Sequence, residues 1–191
     1  MSVTTAVILT VLTAALLYGI VIYNGLVALK HAISKAWANI DVLLKQRHDE
    51  LPKLIETCKQ YMQFEKDTLE RVMQARAAAN SAREKGDVKG VGTAEGLMRM
   101  GLGQITATVE AYPELKVSQP LMQLMGRITG LENSIADRRE FYNESVNANN
   151  VRIEQFPDVI VARLLAFKAA DLLEFTEEEK KDVDAKALWR S

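Results

Sequence analysis

Apolar positions follow two different patterns along this chain. From Val3 to Tyr23 they are nearly continuous, interrupted by Thr, Ala and Gly but by no charged residue. At about 1.5 Å of rise per helical residue the stretch is roughly 30 Å long, the thickness of a bilayer's hydrocarbon core, so it predicts a membrane-spanning helix. From Leu26 the spacing changes to threes and fours: Leu26, Ile33, Trp37, Ile40, Leu44, Leu51, Leu54, Cys58, Tyr61, Leu69, Val72. That period places one apolar stripe on a long helix, continuous or nearly so with the span and reaching about Ala82. Asn24-Gly25 is the expected weak point between span and stripe. Pro52 lies inside the pattern and predicts a kink near His48 to Leu51, because proline removes a hydrogen bond and crowds the preceding turn.

Gly86 and Gly90 mark the first turn. A second helix is expected over Val91 to Ala111, with Leu97, Met98, Leu102, Ile105 and Val109 at helical spacing. It also carries Gly92, Gly96, Gly101 and Gly103. Each interior Gly costs about 1 kcal/mol against Ala, which predicts a close helix–helix approach or weak local stability. Tyr112-Pro113 ends it. Ser118 reads as the N-cap of a third long helix, with Pro120 in its first turn and an apolar series from Leu121 to Ile153. Phe156-Pro157 breaks that helix, and a short, apolar fourth helix follows from Asp158 to Phe167, capped by Asp158. Its surface suits the bundle, another copy of the chain, or lipid. The expected architecture is therefore all-α: an N-terminal transmembrane helix continuing into an antiparallel bundle of three long helices plus a short fourth. Residues 1–23 form the anchor, 24–173 the helical bundle, and 174–191 a charged tail that reads as disordered.

The span differs from a secretory signal peptide. No Lys or Arg precedes it, and the apolar run is long and ends in Tyr23-Asn24-Gly25 without a cleavage motif. The only cysteine, Cys58, is not placed for a lipoprotein anchor. Lys30, Lys35, Lys45 and Arg47 follow the span, so the positive-inside rule puts the N-terminus outside and the C-terminal body in the cytoplasm. Tyr18 and Tyr23 suit the headgroup level. The formal net charge of −1 argues against nucleic acid as a principal partner.

Candidate chemistry changes this picture little. His31 and His48 begin no metal-ligand motif, and adjacent helical residues such as His48-Asp49-Glu50 point in different directions. Cys58 lies on the apolar stripe and reads as a buried, inert thiol. The Gly96/Gly101/Gly103 set has no preceding strand and no Lys-Ser/Thr, as phosphate-binding loops require. Glu65, Asp67, Glu70 and Glu132 read as helix-surface charges, one of them able to face Arg138 or Arg139. The amides Asn143, Asn147, Asn149 and Asn150 read as a solvated or wet inter-helix surface, with ligand recognition as the lesser option. No catalytic, cofactor-binding or metal residue is assigned.

The motifs together resemble the LemA family of bacterial membrane proteins, from about Tyr23 to Phe167. They are Tyr23-Asn24-x-Leu26-Val27; Ala36-Trp37-x-x-Ile40-Asp41-Val42-x-Leu44-x-x-Arg47; Leu51-Pro52-x-Leu54; Tyr61 with Glu65-Lys66-x-Thr68-Leu69; Ala75-Arg76; Glu110-Ala111-Tyr112-Pro113-x-Leu115-Lys116; Leu131-Glu132-Asn133-x-Ile135; Arg138-Arg139-x-x-Tyr142-Asn143; and Phe156-Pro157. Lys53 stands where the family usually has Asn, and Glu50 precedes Leu51-Pro52 where an aliphatic residue is frequent. The resemblance implies one N-terminal span, a cytoplasmic bundle of long antiparallel helices, no established activity or cofactor, and a connection with membrane organisation.

Three functions follow as expectations. The first is a non-enzymatic membrane protein whose copies self-associate and organise or shape the inner membrane. The second is an anchored adaptor that docks a second membrane protein or a protease through the Asn-rich end of the third helix and the acidic tail. The third, an enzyme depending on Cys58 or His48, has no constellation behind it.

Overall fold

The computed structural model describes residues 2–61 and 66–175. Every regular element among them is helical: α1 (Val3–Tyr61), α2 (Lys66–Glu84), α3 (Val88–Ala111), α4 (Pro113–Lys116), α5 (Gln119–Glu154) and α6 (Asp158–Leu164). The all-α architecture led by a long apolar helix is as expected. Two compact units are present. The first holds the residues up to Asn39 with Glu140–Asp171; the second holds Ile40–Arg139 with the residues from Leu172.

In the second unit, Arg83 Nη1 donates to Asp41 Oδ1 at 3.0 Å and Arg76 Nε donates to the His48 carbonyl at 2.9 Å. The partner number falls as α1 advances, so α2 runs antiparallel to α1. The stripe expected on one helix to Ala82 is therefore divided between two, α1 closing at Tyr61 and α2 opening at Lys66. The period survives the reversal because both helices turn the same kind of face to one core. Neither Gly nor Pro between Tyr61 and Lys66 announces it.

Gly86, at φ 67°, lets the chain leave α2 in the left-handed conformation that side chains disfavour. The Asp87 N–H returns to the Ala82 carbonyl at 2.9 Å, and Asp87 Oδ1 caps α3 through the Gly90 N–H. Asp87 is thus a cap that opens the second expected helix earlier than Val91. α3 lies close to α2: a Cβ on Gly101 would stand 2.4 Å from Val72 Cγ2. Gly101 accordingly matches the close-approach expectation, whereas Gly103 faces open space. Tyr112-Pro113 ends α3 as expected. Leu51, Leu54 and Cys58 of α1, Leu69 and Val72 of α2, Met98 and Ile105 of α3, and Leu121 and Ile128 of α5 share one buried core.

Pro52 lies inside α1. It offers no N–H to the carbonyl one turn back, that of His48, and Arg76 supplies the missing donor. Arg76→Met is expected to destabilise the chain by about 1–3 kcal/mol, the cost of leaving a shielded carbonyl unpaired. In a Pro52→Ala background the loss should shrink, because the alanine brings its own N–H. A double-mutant cycle by urea unfolding checks the coupling, and additive effects would refute it.

In the first unit α1 continues through Asn24-Gly25 without a break. The expected weak point is covered by the Arg152 guanidinium, which would lie 3.3 Å from a Cβ on Gly25. Trp37 packs on Tyr142 with ring centroids 5.4 Å apart, while Leu26, earlier on α1, is packed by Ile153, later on α5. This part of α1 is therefore antiparallel to the end of α5. α6 begins at Asp158, but Asp158 is its first residue and not its cap. The carboxylate is drawn instead to Arg152 Nε at 2.6 Å. Of the tail expected to be disordered from Glu174, Glu174 and Phe175 are described, with Phe175 buried under the Arg139 guanidinium at 4.0 Å. Residues 176–191 lie outside the described residues.

Candidate functional site

The apolar N-terminal stretch is the first candidate. Along α1 the aliphatic side chains Val3, Val7, Ile8, Leu9, Val11, Leu12, Leu16, Leu17, Ile20 and Val21 are all exposed, and the stretch is apolar and long enough to cross a bilayer. Two of its threonine hydroxyls are satisfied by the helix backbone: Thr10 and Thr13 donate to the Ala6 and Leu9 carbonyls at 2.9 and 2.8 Å. Ile22 is the first buried side chain along α1. Ile22 and Leu26 are buried against Ala162, with Ile153, Val161 and Phe167 around them, and Tyr23 meets the Phe167 ring edge-on at 6.0 Å.

Beside this collar the late residues of α5 hold the chain segment that follows α6. Asn150 donates Nδ2 to the Ala170 carbonyl and accepts the Ala170 N–H on Oδ1, both at 2.9 Å. One side chain thus serves both polar groups of a residue, as a neighbouring strand would. Asn149, 3% exposed, donates to the Lys168 carbonyl at 3.2 Å. Tyr142 donates its hydroxyl to the Asp171 carbonyl at 2.9 Å. The Asn150 amide is thus committed to Ala170 within the chain. Asn147 is exposed.

In the second unit Arg47, 2% exposed, pairs through Nη2 with Glu95 Oε2 and through Nη1 with Glu132 Oε1. Glu132 therefore faces Arg47 of α1. Burial lowers the Arg47 pKa and Glu132 opposes that shift, while Arg99 adds to it. Desolvating such ions costs several kcal/mol each, and the pairs that offset this cost link α1, α3 and α5. Glu95 has no place in the reading by motif. Its signal was nonetheless present: Arg47 continues the series Ile40, Leu44, Leu51; Glu95 lies between Val91 and Met98; Glu132 lies between Ile128 and Ile135. A charge on an apolar stripe is a charge that needs a buried partner. A cavity of about 10 Å³ beside the cluster, lined by Arg47, His48, Asn80, Arg83 and Glu95 among others, is the size of one water.

The remaining candidates do not converge. His31 is exposed, whereas His48 is half-buried and its pKa is lowered by burial and then by Arg76. Among the described residues no three of His, Cys, Asp and Glu are grouped to hold a metal ion. Asp67 and Glu70 are exposed on α2 or near its start, and Glu65 lies outside the described residues. Cys58 is fully buried, and burial pushes its thiol up to about 11. Ellman's reagent is expected to modify it only as fast as the chain unfolds. A thiol raised in the fold stabilises it fully below the free-thiol pKa of 9 and loses that contribution as pH rises to about 11. Cys58→Ala should remove this part of the alkaline decline, read as Tm against pH.

A model of the LemA family matches residues 36–186. Protein LemA of Metamycoplasma hominis is 26% identical over 167 residues, covering 86% of this chain and 74% of that protein. Magnetosome protein MamQ 2 of Paramagnetospirillum magneticum is 29% identical over 103 residues, 54% of this chain. Magnetosome protein MamQ of Magnetospirillum gryphiswaldense is 27% identical over the same length. The matched part spans 38% of either MamQ protein.

Proposed function

The chain belongs to the LemA family, and we propose that it is a non-enzymatic, single-span protein of the bacterial inner membrane whose copies associate laterally and organise or shape the bilayer. The observation that carries this reading is α1. It presents an aliphatic surface from Val3 to Val21 and then, without a break at Asn24-Gly25, turns into a packed helix. Exposed Lys30 and Lys35 follow the span and favour a cytoplasmic body with the N-terminus outside. Arg47 contributes little to that bias, since its charge is taken up by Glu95 and Glu132. A groove of about 440 Å³ between α2 and α3, with Leu97 and Met100 exposed on its wall, supplies apolar surface for contact between copies. Relatives named as magnetosome proteins agree with the membrane-organising role that the family resemblance implies.

Light scattering and electron microscopy of the full-length protein, extracted natively from membranes, test the reading. A large uniform homo-assembly is expected. A monomer both in mild detergent and in lipid nanodiscs would refute it. A stoichiometric foreign subunit would favour the adaptor.

A further inference from the structure

We propose that α6 is a second membrane-contact element, inserting Phe156, Ile160 and Leu164 into the lipid interface beside the span. Ile160 and Leu164 are one helical turn apart on α6, and Phe156 stands at the turn that opens it. All three are exposed, Phe156 at 82% and Leu164 at 80%. Asp158 and Ala162, also a turn apart, form the opposite, buried side. That side fixes the height of the helix, because Ala162 packs on Ile22 and Leu26, and Phe167 on Tyr23. These are the turns at which the lipid-facing surface of α1 ends, so the outward stripe of α6 is continuous with a surface already read as lying in the bilayer.

The polar groups of α6 suit the same place. Its carboxylate is turned inward onto Arg152. At its C-terminus Ala166, at φ 56°, lets the Phe167 N–H reach the Ala162 carbonyl at 2.9 Å, while the Leu165 N–H takes the Val161 carbonyl at 3.0 Å. Exposed Arg163 and Lys168 flank the stripe, long enough to keep their charges among lipid phosphates while their stems lie along the acyl boundary. A short helix with aliphatic and aromatic residues on one side and flanking basic residues fits the headgroup–acyl boundary.

The inference rests on the membrane reading of Val3 to Tyr23, and the test separates the two. Full-length protein carrying one nitroxide at Leu164→Cys or Phe156→Cys is reconstituted into vesicles of phosphatidylcholine with a minor share of phosphatidylglycerol. Collisions with oxygen, which concentrates in lipid, are compared with collisions with a water-soluble nickel chelate. Val21→Cys on the span and Glu144→Cys on the exposed side of α5 are the references. The labels at Leu164 and Phe156 are expected to behave like Val21 and unlike Glu144. If they behave like Glu144 while Val21 remains in lipid, α6 lies in water and the proposal is wrong. If they are shielded from both reagents, a protein covers the stripe and the proposal is equally wrong. If Val21 itself meets the nickel chelate, the anchor reading fails and takes this one with it.

Discussion

Arg47→Met is expected to cost about 3–5 kcal/mol of stability, the penalty for leaving buried carboxylates without their cation. Glu95 is 4% exposed, and Arg47 is its ion-pair partner. The methionine fills most of the space but returns no charge, so Glu95 of α3 is left buried without its cation while Glu132 of α5 is only half-buried. At about 2–4 °C per kcal/mol for a chain of this size, Tm should fall by roughly 6–20 °C. Circular dichroism of the full-length chain in detergent measures it. The companion variant is the informative one. Arg47→Met combined with Glu95→Met and Glu132→Gln removes the ions together, and such replacements are often neutral or stabilising. Recovery of most of the lost Tm would mean that the cluster specifies helix register and is not the source of net stability. Failure to recover would mean that its geometry is itself required.

Tyr142→Ala is expected to have an effect of similar size, about 3–5 kcal/mol, as large aromatic-to-alanine changes in a core do. Tyr142 is buried against Trp37 and its hydroxyl holds the Asp171 carbonyl, so the substitution opens a cavity and frees the segment after α6. Tyr142→Phe keeps the ring and should lose only about 0.5–1.5 kcal/mol, one hydrogen bond. The two variants also separate in alkali. Burial, and then the Asp171 carboxylate, raise the phenol above its ordinary pKa of 10. A phenol raised in the folded state contributes stability that is complete below pH 10 and declines as pH climbs through the folded value. Tyr142→Phe should remove that decline. Trp37 fluorescence in a Trp189→Phe background follows unfolding at the site itself, and an unchanged alkaline profile would show that the hydroxyl is not shielded.

Much of the fold was legible because its signals are local. Proline after Tyr112 and Phe156 ended helices where expected, and Ser118-x-Pro120 opened α5. The misplacements have equally particular causes. Asp158 was expected as a cap because aspartate before an apolar run normally is one, but Arg152 competes for the same carboxylate at 2.6 Å. Asn24-Gly25 read as a weak point because glycine is a poor helix former, and α1 passes through it beneath the Arg152 guanidinium. The amides of α5 read as a wet surface, and in Asn149 and Asn150 they serve the backbone of Lys168 and Ala170. Pairings so far apart in the chain leave no trace in helical periodicity.

The sequence by itself determined the long apolar start of α1, the all-α class, several helix limits and the burial of Cys58. Length without charge, period and proline act within a few residues, so one chain read in order displays them. The tertiary structure alone decided that the first stripe belongs to two antiparallel helices. It also chose Arg47 as the partner of Glu95 and Glu132, Arg76 as the donor made necessary by Pro52, and the turn from Ile22 to Leu26 as the seat of α6. Each of these depends on which faces meet in space. A periodic pattern says that a face is buried; it does not say against what.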